Sequence, residues 1–213
     1  MKKLFLLALA TAFSMHVAAQ QPVKFGVKAG LTLPHMTISA LGASYSFDSK
    51  TSFYVGGIAD VAFSKVFSVQ PGLSLVNKGT KVSSSGFEFE DDAIAEDEGT
   101  INLMYLEIPV NLLANFKTGQ SGKVFFGAGP YYAFAINGTT KAGNEKEDIT
   151  FGSDEDNLKR GDFGFNFMAG YQLDNGLNLH LNYGLGISSV LHEQEYNLKF
   201  KNRVFSVGLG FNF

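Results

Sequence analysis

Large apolar side chains alternate with small or polar ones along Phe205-Ser206-Val207-Gly208-Leu209-Gly210-Phe211-Asn212-Phe213. Consecutive strand residues point to opposite faces, so this segment spells a strand with one wholly apolar face. The same alternation recurs and predicts strands near Val23 to Leu33, Ser52 to Phe63, Phe67 to Lys78, Ile101 to Phe116, Lys123 to Ile136, Asp162 to Leu173, Leu177 to Ser188 and Tyr196 to Phe213. In the sixth, Phe163, Phe165, Phe167, Ala169, Tyr171 and Leu173 share a face; in the seventh, Leu177, Leu179, Leu181, Tyr183, Leu185 and Ile187 do. Gly164, Asn166, Gly170, Gln172, Asn178, His180, Asn182, Gly184 and Gly186 fill the reverse faces.

A soluble barrel or sandwich would bury the Phe and Leu face and show water a surface rich in Lys, Glu and Thr. Here the second face is mostly Gly and Asn, with isolated charges. Small residues suit the cramped interior of a narrow barrel. A charge on the lipid side near mid-membrane costs about 2 to 4 kcal/mol. The apolar faces carry none, whereas Lys28, Asp60 and Glu107 fall on the opposite parity. The pattern therefore favours apolar side chains against lipid over the competing soluble reading.

Connection lengths point the same way. Pro34 to Thr51, Gly79 to Thr100, Asn137 to Gly161 and Ser189 to Glu195 alternate with the short Ser64 to Val66, Lys117 to Gly122 and Asp174 to Gly176. Short periplasmic turns and longer external loops give an even strand number with both ends of the chain on the periplasmic side. The fold expected is all-β, an eight-stranded antiparallel up-and-down transmembrane barrel. A weak hairpin has room between Asn137 and Gly161, where Asn137-Gly138 either starts a turn or ends a strand. Pro71, Pro109 and Pro130 lie inside expected strands, where a missing donor suggests bulges and leaves the register open. Without Trp, interfacial girdles fall to residues such as Tyr105, Tyr132 and Tyr171.

Composition narrows the setting. The chain has 213 residues, no Cys and a net charge of −3, so a disulfide framework and Cys-based metal or redox chemistry are excluded and nucleic acid is not an expected partner. Met1-Lys2-Lys3, the apolar run Leu4 to Phe13 and Val17-Ala18-Ala19 describe a cleaved export signal over residues 1–19, leaving a barrel domain over 20–213. Within 20–213 no apolar stretch is long enough for a membrane helix, so a spanning chain must cross as a closed sheet.

Candidate chemistry is sparse. Lys28, Asp60, Glu107 and His180 could meet in the lumen as a neutralising structural network or, alternatively, as a gate. His180 or His192 with Ser188, Ser189 or Glu193 could form a lipid-modifying site, although no spacing is diagnostic. No catalytic residue, cofactor or metal site is assigned. Glu88, Glu90, Asp91 and Asp92 form an acidic stretch interleaved with Phe87 and Phe89; the ordered spacing of a calcium loop is missing, and the alternation suits a ribbon offered to a partner.

The chain as a whole resembles the small outer-membrane barrels of the OmpX-like and PorT-like group of Bacteroidetes. The resemblance rests on Ala19-Gln20-Gln21, Phe25-Gly26-Val27-Lys28-Ala29-Gly30, Gln70-Pro71-Gly72-Leu73, Tyr105-Leu106-Glu107-Ile108-Pro109, Phe126-Gly127-Ala128-Gly129-Pro130-Tyr131 and the final Phe-Asn-Phe. It implies residence in the outer membrane, with lipid and the barrel assembly machinery as partners. That machinery would read the apolar face Phe205, Val207, Leu209, Phe211 and Phe213 as an assembly signal. The resemblance implies no settled activity; the role expected of the chain is structural or interactive, through external loops that meet an extracellular or secretion-system protein. A narrow porin-like channel, a secretion accessory and a lipid-modifying enzyme are the alternatives.

Overall fold

The computed structural model describes residues 23–40, 43–46, 48–82, 99–119, 121–142, 145–152, 158–189 and 199–213. Eight long strands carry the alternation: β1 (Lys24–Ala40), β2 (Ser52–Ala62), β3 (Phe67–Asn77), β4 (Gly99–Lys117), β5 (Gly122–Ala142), β6 (Gly161–Leu173), β7 (Leu177–Gly186) and β8 (Lys199–Asn212). Each pairs antiparallel with its sequence neighbours, and β1 also pairs with β8, so the sheet closes. Closure matters in hydrocarbon because an open edge would leave a row of backbone groups without partners.

With the register carried across the interrupted rungs, the path from Gly26 through Ile58, Gly72, Pro109, Tyr131, Gly164, Gly186 and Asn202 returns to β1 at Met36, a stagger of ten residues (36 − 26 = 10). In a ring of this size such a stagger tilts the strands by roughly 40° and leaves an interior that side chains fill. Burial follows parity. Phe25, Leu31, Phe126 and Leu209 are each more than half exposed, whereas Thr32, Asn111, Asp162 and Asn202 are buried. Apolar groups outside and polar groups inside is the reverse of a water-soluble fold, and it is the arrangement a bilayer selects.

At one end the strands are joined by tight connections. Asp174-Asn175-Gly176 closes the β6–β7 hairpin, with Gly176 at φ +93°, a left-handed conformation that its lack of a Cβ permits. At the other end several strands continue as ribbons. β1 runs on to Ala40, well past the expected Leu33, and pairs with Ala43–Ser46; Pro34 therefore lies inside a strand and not in a loop. Thr80–Val82 pairs with the start of β4 and with Asp48–Ser49, and Glu145–Asp148 pairs with the end of β5. The hairpin expected between Asn137 and Gly161 is this last ribbon.

Asn137-Gly138 itself neither turns nor ends a strand. Met104 pairs with Asn137 and Tyr105 with Ala135, so Ile136 is an extra residue, a bulge that reverses the parity of the strand beyond it. The prolines behave differently from expectation. Pairing is locally interrupted beside Pro71, Pro109 and Pro130, yet it resumes in unchanged register on both sides, as in Ile58↔Gly72 and Val61↔Val69. A missing donor removes a rung without inserting a residue, so no bulge forms there.

Candidate functional site in the barrel lumen

Inward parity brings Lys78, just beyond β3, to the centre of the lumen. Its Nζ lies 2.9 Å from Asp162 Oδ2 and 3.1 Å from Glu107 Oε2. The ammonium also sits 4.6 Å from the Tyr131 ring centroid and 4.9 Å from that of Tyr105, a cation between two aromatic faces. Asp162 is fully buried, and it accepts hydrogen bonds from Asn202 Nδ2 at 3.1 Å and Ser188 Oγ at 3.1 Å. Asn166 Nδ2 donates to the other Glu107 oxygen at 3.3 Å. Counting Lys28, which lines the adjoining cavity and feels the Glu107 charge, the belt holds two cations and two carboxylates. Neutrality matters because an unpaired ion in this interior would be costly.

A second polar chain crosses below it. Tyr54 Oη donates to His180 Nε2 at 2.5 Å. His180 Nδ1 lies 2.8 Å from Asn178 Oδ1, and Asn178 Nδ2 donates to Asn212 Oδ1 at 3.2 Å. An amide oxygen only accepts, so Nδ1 carries the ring proton and Nε2 is the acceptor. Glycine makes the crossing possible: a Cβ on Gly208 would collide with Tyr54 Oη and with the Ala29 carbonyl.

Apolar layers narrow the lumen beside these polar chains. On the ribbon side Leu103, Tyr105, Tyr131, Ala133 and Ala135 form a buried cluster, against which Ile149, Phe151 and Leu158 pack from the connection after β5. The Ile136 bulge turns Gly138 inward, and the Phe151 ring occupies the space its absent Cβ leaves. Toward the short turns, Leu113, Phe125 and Met168 close a second layer. The lumen holds two small spaces: one of about 20 Å³ where Leu113, Phe125 and Met168 face Asp60, Asn178 and His180, and one of about 30 Å³ beside Lys28, Lys78 and Glu107, each with room for one or two waters. Beyond the second layer the barrel opens into a mouth of about 900 Å³ at the short turns.

Lys28, Asp60, Glu107 and His180 all face the lumen, but they do not join into one network. Glu107 pairs with Lys78, His180 with Tyr54 and Asn178, and Asp60 Oδ1 has no hydrogen-bond partner among the described residues. Lys78 and Asp162 escaped the sequence reading although each continues the inward parity of its strand. Tyr105, expected in an interfacial girdle, is fully buried beside Lys78, because it shares Glu107's parity; Tyr132 does face outward. Phe205, Val207, Leu209, Phe211 and Phe213 all lie exposed on the outer face of the closing strand or at its end. Ser188 is held by Asp162 and the Phe163 backbone. Residues 1–19 and Glu88, Glu90, Asp91, Asp92, His192 and Glu193 lie outside the described residues.

Among solved structures, OprG from Pseudomonas aeruginosa aligns at 16% identity over 91% of this chain and 97% of its own, with a TM-score of 0.49. Neisserial surface protein A aligns at 13% identity over 91% and 100%, TM-score 0.43, and Ail from Yersinia pestis at 11% over 91% and 100%, TM-score 0.43. No curated protein matches the sequence. Residues 18–192, most of the chain, match the model of the outer membrane protein beta-barrel domain, and the protein belongs to that family, whose place is the cell outer membrane.

Proposed function

We propose that this protein is a sealed, non-enzymatic outer-membrane barrel that acts by presenting its ribbons to an extracellular or secretion-system protein. The observation that carries this reading is the pairing of a filled lumen with strands that outrun the membrane. A conduit would need a continuous aqueous path, whereas two apolar layers and a neutral charged belt interrupt it. Meanwhile Glu145–Asp148 is an outermost strand of the sheet path, exposed throughout, and pairs on one side only among the described residues. Such an edge offers backbone donors and acceptors to an incoming strand. The acidic stretch Glu88 to Asp92 comes after Thr80–Val82 in sequence and would add charge selectivity to the same end.

The non-enzymatic part is supported by how the polar groups are used. His180 is engaged at both ring nitrogens, by a phenol and an amide, and Ser188 Oγ by a carboxylate and a backbone amide. The mature barrel is further proposed to begin after a cleaved signal at residue 19 and to insert through the β8 face Phe205 to Phe213. The decisive experiment combines planar-bilayer recording with photo-crosslinking from Glu147. Silent bilayers together with a discrete crosslinked adduct on intact cells are expected; steady unitary conductance from purified protein would instead favour the narrow-channel reading.

A further inference from the structure

Lys117 at the end of β4 and Lys123 at the start of β5 stand directly opposite one another in the ladder, both on the lumen parity of their strands. Like charges placed this way, with Cβ atoms about 5 Å apart, work against the fold. Neither forms an ion pair among the described residues. With Lys24 and Lys65 they line the 900 Å³ mouth at the short turns, where the acidic groups are Asp60 and Asp174. Asp60 is more than nine-tenths buried at the floor of this mouth, and its Oδ1 lacks a hydrogen-bond partner.

We infer that the short-turn mouth is a binding site for a small, multiply charged oxyanion whose far end donates a hydrogen bond. The opposed lysines supply a concentrated positive field in which Lys123 feels the Asp60 charge but neither lysine is held in an ion pair among the described residues, and an oxyanion seated between them would turn their repulsion into two attractive contacts. The volume suits a small solute, since ligand cavities run to roughly 300 to 1,000 Å³. Lysine ammoniums act as point charges and do not discriminate phosphate from carboxylate by shape. Orientation comes from Asp60: its unpartnered oxygen accepts from a hydroxyl or an ammonium and repels a second anionic group. A sugar phosphate or an aminated phosphate meets both demands. Inward of Asp60, Asn115 and Gln172 the lumen narrows to a space of about 20 Å³, too small for such a ligand, so it is held from the short-turn side and does not pass.

The test is calorimetric titration of the full-length protein, folded in a nonionic maltoside detergent, with glucosamine 6-phosphate, citrate and inorganic pyrophosphate. Glucosamine 6-phosphate is expected to bind saturably and more weakly as salt rises, and citrate marks whether carboxylate serves as well as phosphate. Lys117→Gln with Lys123→Gln should weaken binding at least tenfold, while Lys81→Gln at the ribbon end leaves it unchanged. Lys117→Glu separates folding from binding, because it creates a cross-strand ion pair with Lys123: heat stability should hold or rise while binding is lost. Asp60→Asn should weaken glucosamine 6-phosphate and not pyrophosphate. Absence of saturable binding by any probe at millimolar concentration, or equal binding by the double lysine variant, overturns the site; equal effects of Asp60→Asn on both phosphates overturn the orientation.

Discussion

Lys78 Nζ and Asp162 Oδ2 meet at 2.9 Å across the lumen, joining the end of β3 to the start of β6 from positions far apart in sequence. Both side chains are almost wholly buried, so the pair is judged by what its removal leaves behind. Asp162→Ala strands a buried ammonium with Glu107 as its remaining carboxylate, and Lys78→Met strands two carboxylates. Each single change should cost about 3 to 5 kcal/mol. Lys78→Met combined with Asp162→Asn removes one charge of each sign, leaves Glu107 balanced by Lys28 and should recover much of that loss. Urea titration of the barrel in detergent, read by the gel shift between unboiled and boiled protein, measures it; strictly additive losses would show that the belt is not coupled.

Gly208 faces Tyr54, and the phenol passes where any side chain on that strand position would stand. Gly208→Ala therefore forces either the ring or the Ala29 backbone to move, at about 1 to 3 kcal/mol. Leu209→Met, one residue on, keeps a lipid-facing apolar side chain of similar size and should change stability far less. The comparison is informative because the smaller residue change, a single added methyl group, falls on the crowded inward face. A Leu209→Met variant less stable than Gly208→Ala would contradict the placement of Tyr54.

Much of this architecture is legible in the sequence because a barrel in lipid writes its two faces at a period of two. Phe163 to Leu173 and Leu177 to Ile187 fall outward, and Lys28, Asp60, Glu107 and His180 fall inward, for that reason alone. What parity does not give is partnership. Register decides that Glu107 reaches Lys78 and not Lys28, and register is set by pairing across neighbouring strands. The Ile136 bulge is equally opaque, since one extra residue leaves the local alternation intact while reversing its meaning for Gly138. The prolines misled for a related reason: a lost donor weakens a rung but changes no count. The continuation of β1 to Ala40 was hidden because the ribbon beyond the lipid no longer needs an apolar face.

Depth along β7 makes a graded prediction. Leu177 lies next to the short turn, whereas Leu181 sits mid-strand, and both point outward. Leu181→Arg should cost about 2 to 4 kcal/mol and Leu177→Arg about 0 to 1 kcal/mol, since an arginine near the interface reaches water. Reversible folding into vesicles at graded urea provides the free energies. Equal penalties at the two sites would mean that the apolar band is displaced along the barrel axis, away from the middle of β7.

His180 offers a test that reads hydrogen positions directly. Asn178 spends its amide protons on Asn212 and presents only an oxygen to the imidazole, which places the ring proton on Nδ1 and leaves Nε2 to accept from Tyr54. Nitrogen-15 spectra of ring-labelled histidine should show that tautomer for His180. Tyr54→Phe deletes the donor at Nε2 but not the acceptor at Nδ1, so the tautomer should persist while stability falls by about 1 to 3 kcal/mol from the unsatisfied nitrogen. Asn178→Leu removes the acceptor, and the proton should then distribute over both nitrogens. A wild-type spectrum with the proton on Nε2 would reverse the direction of the whole chain and require the Asn178 amide to be turned over.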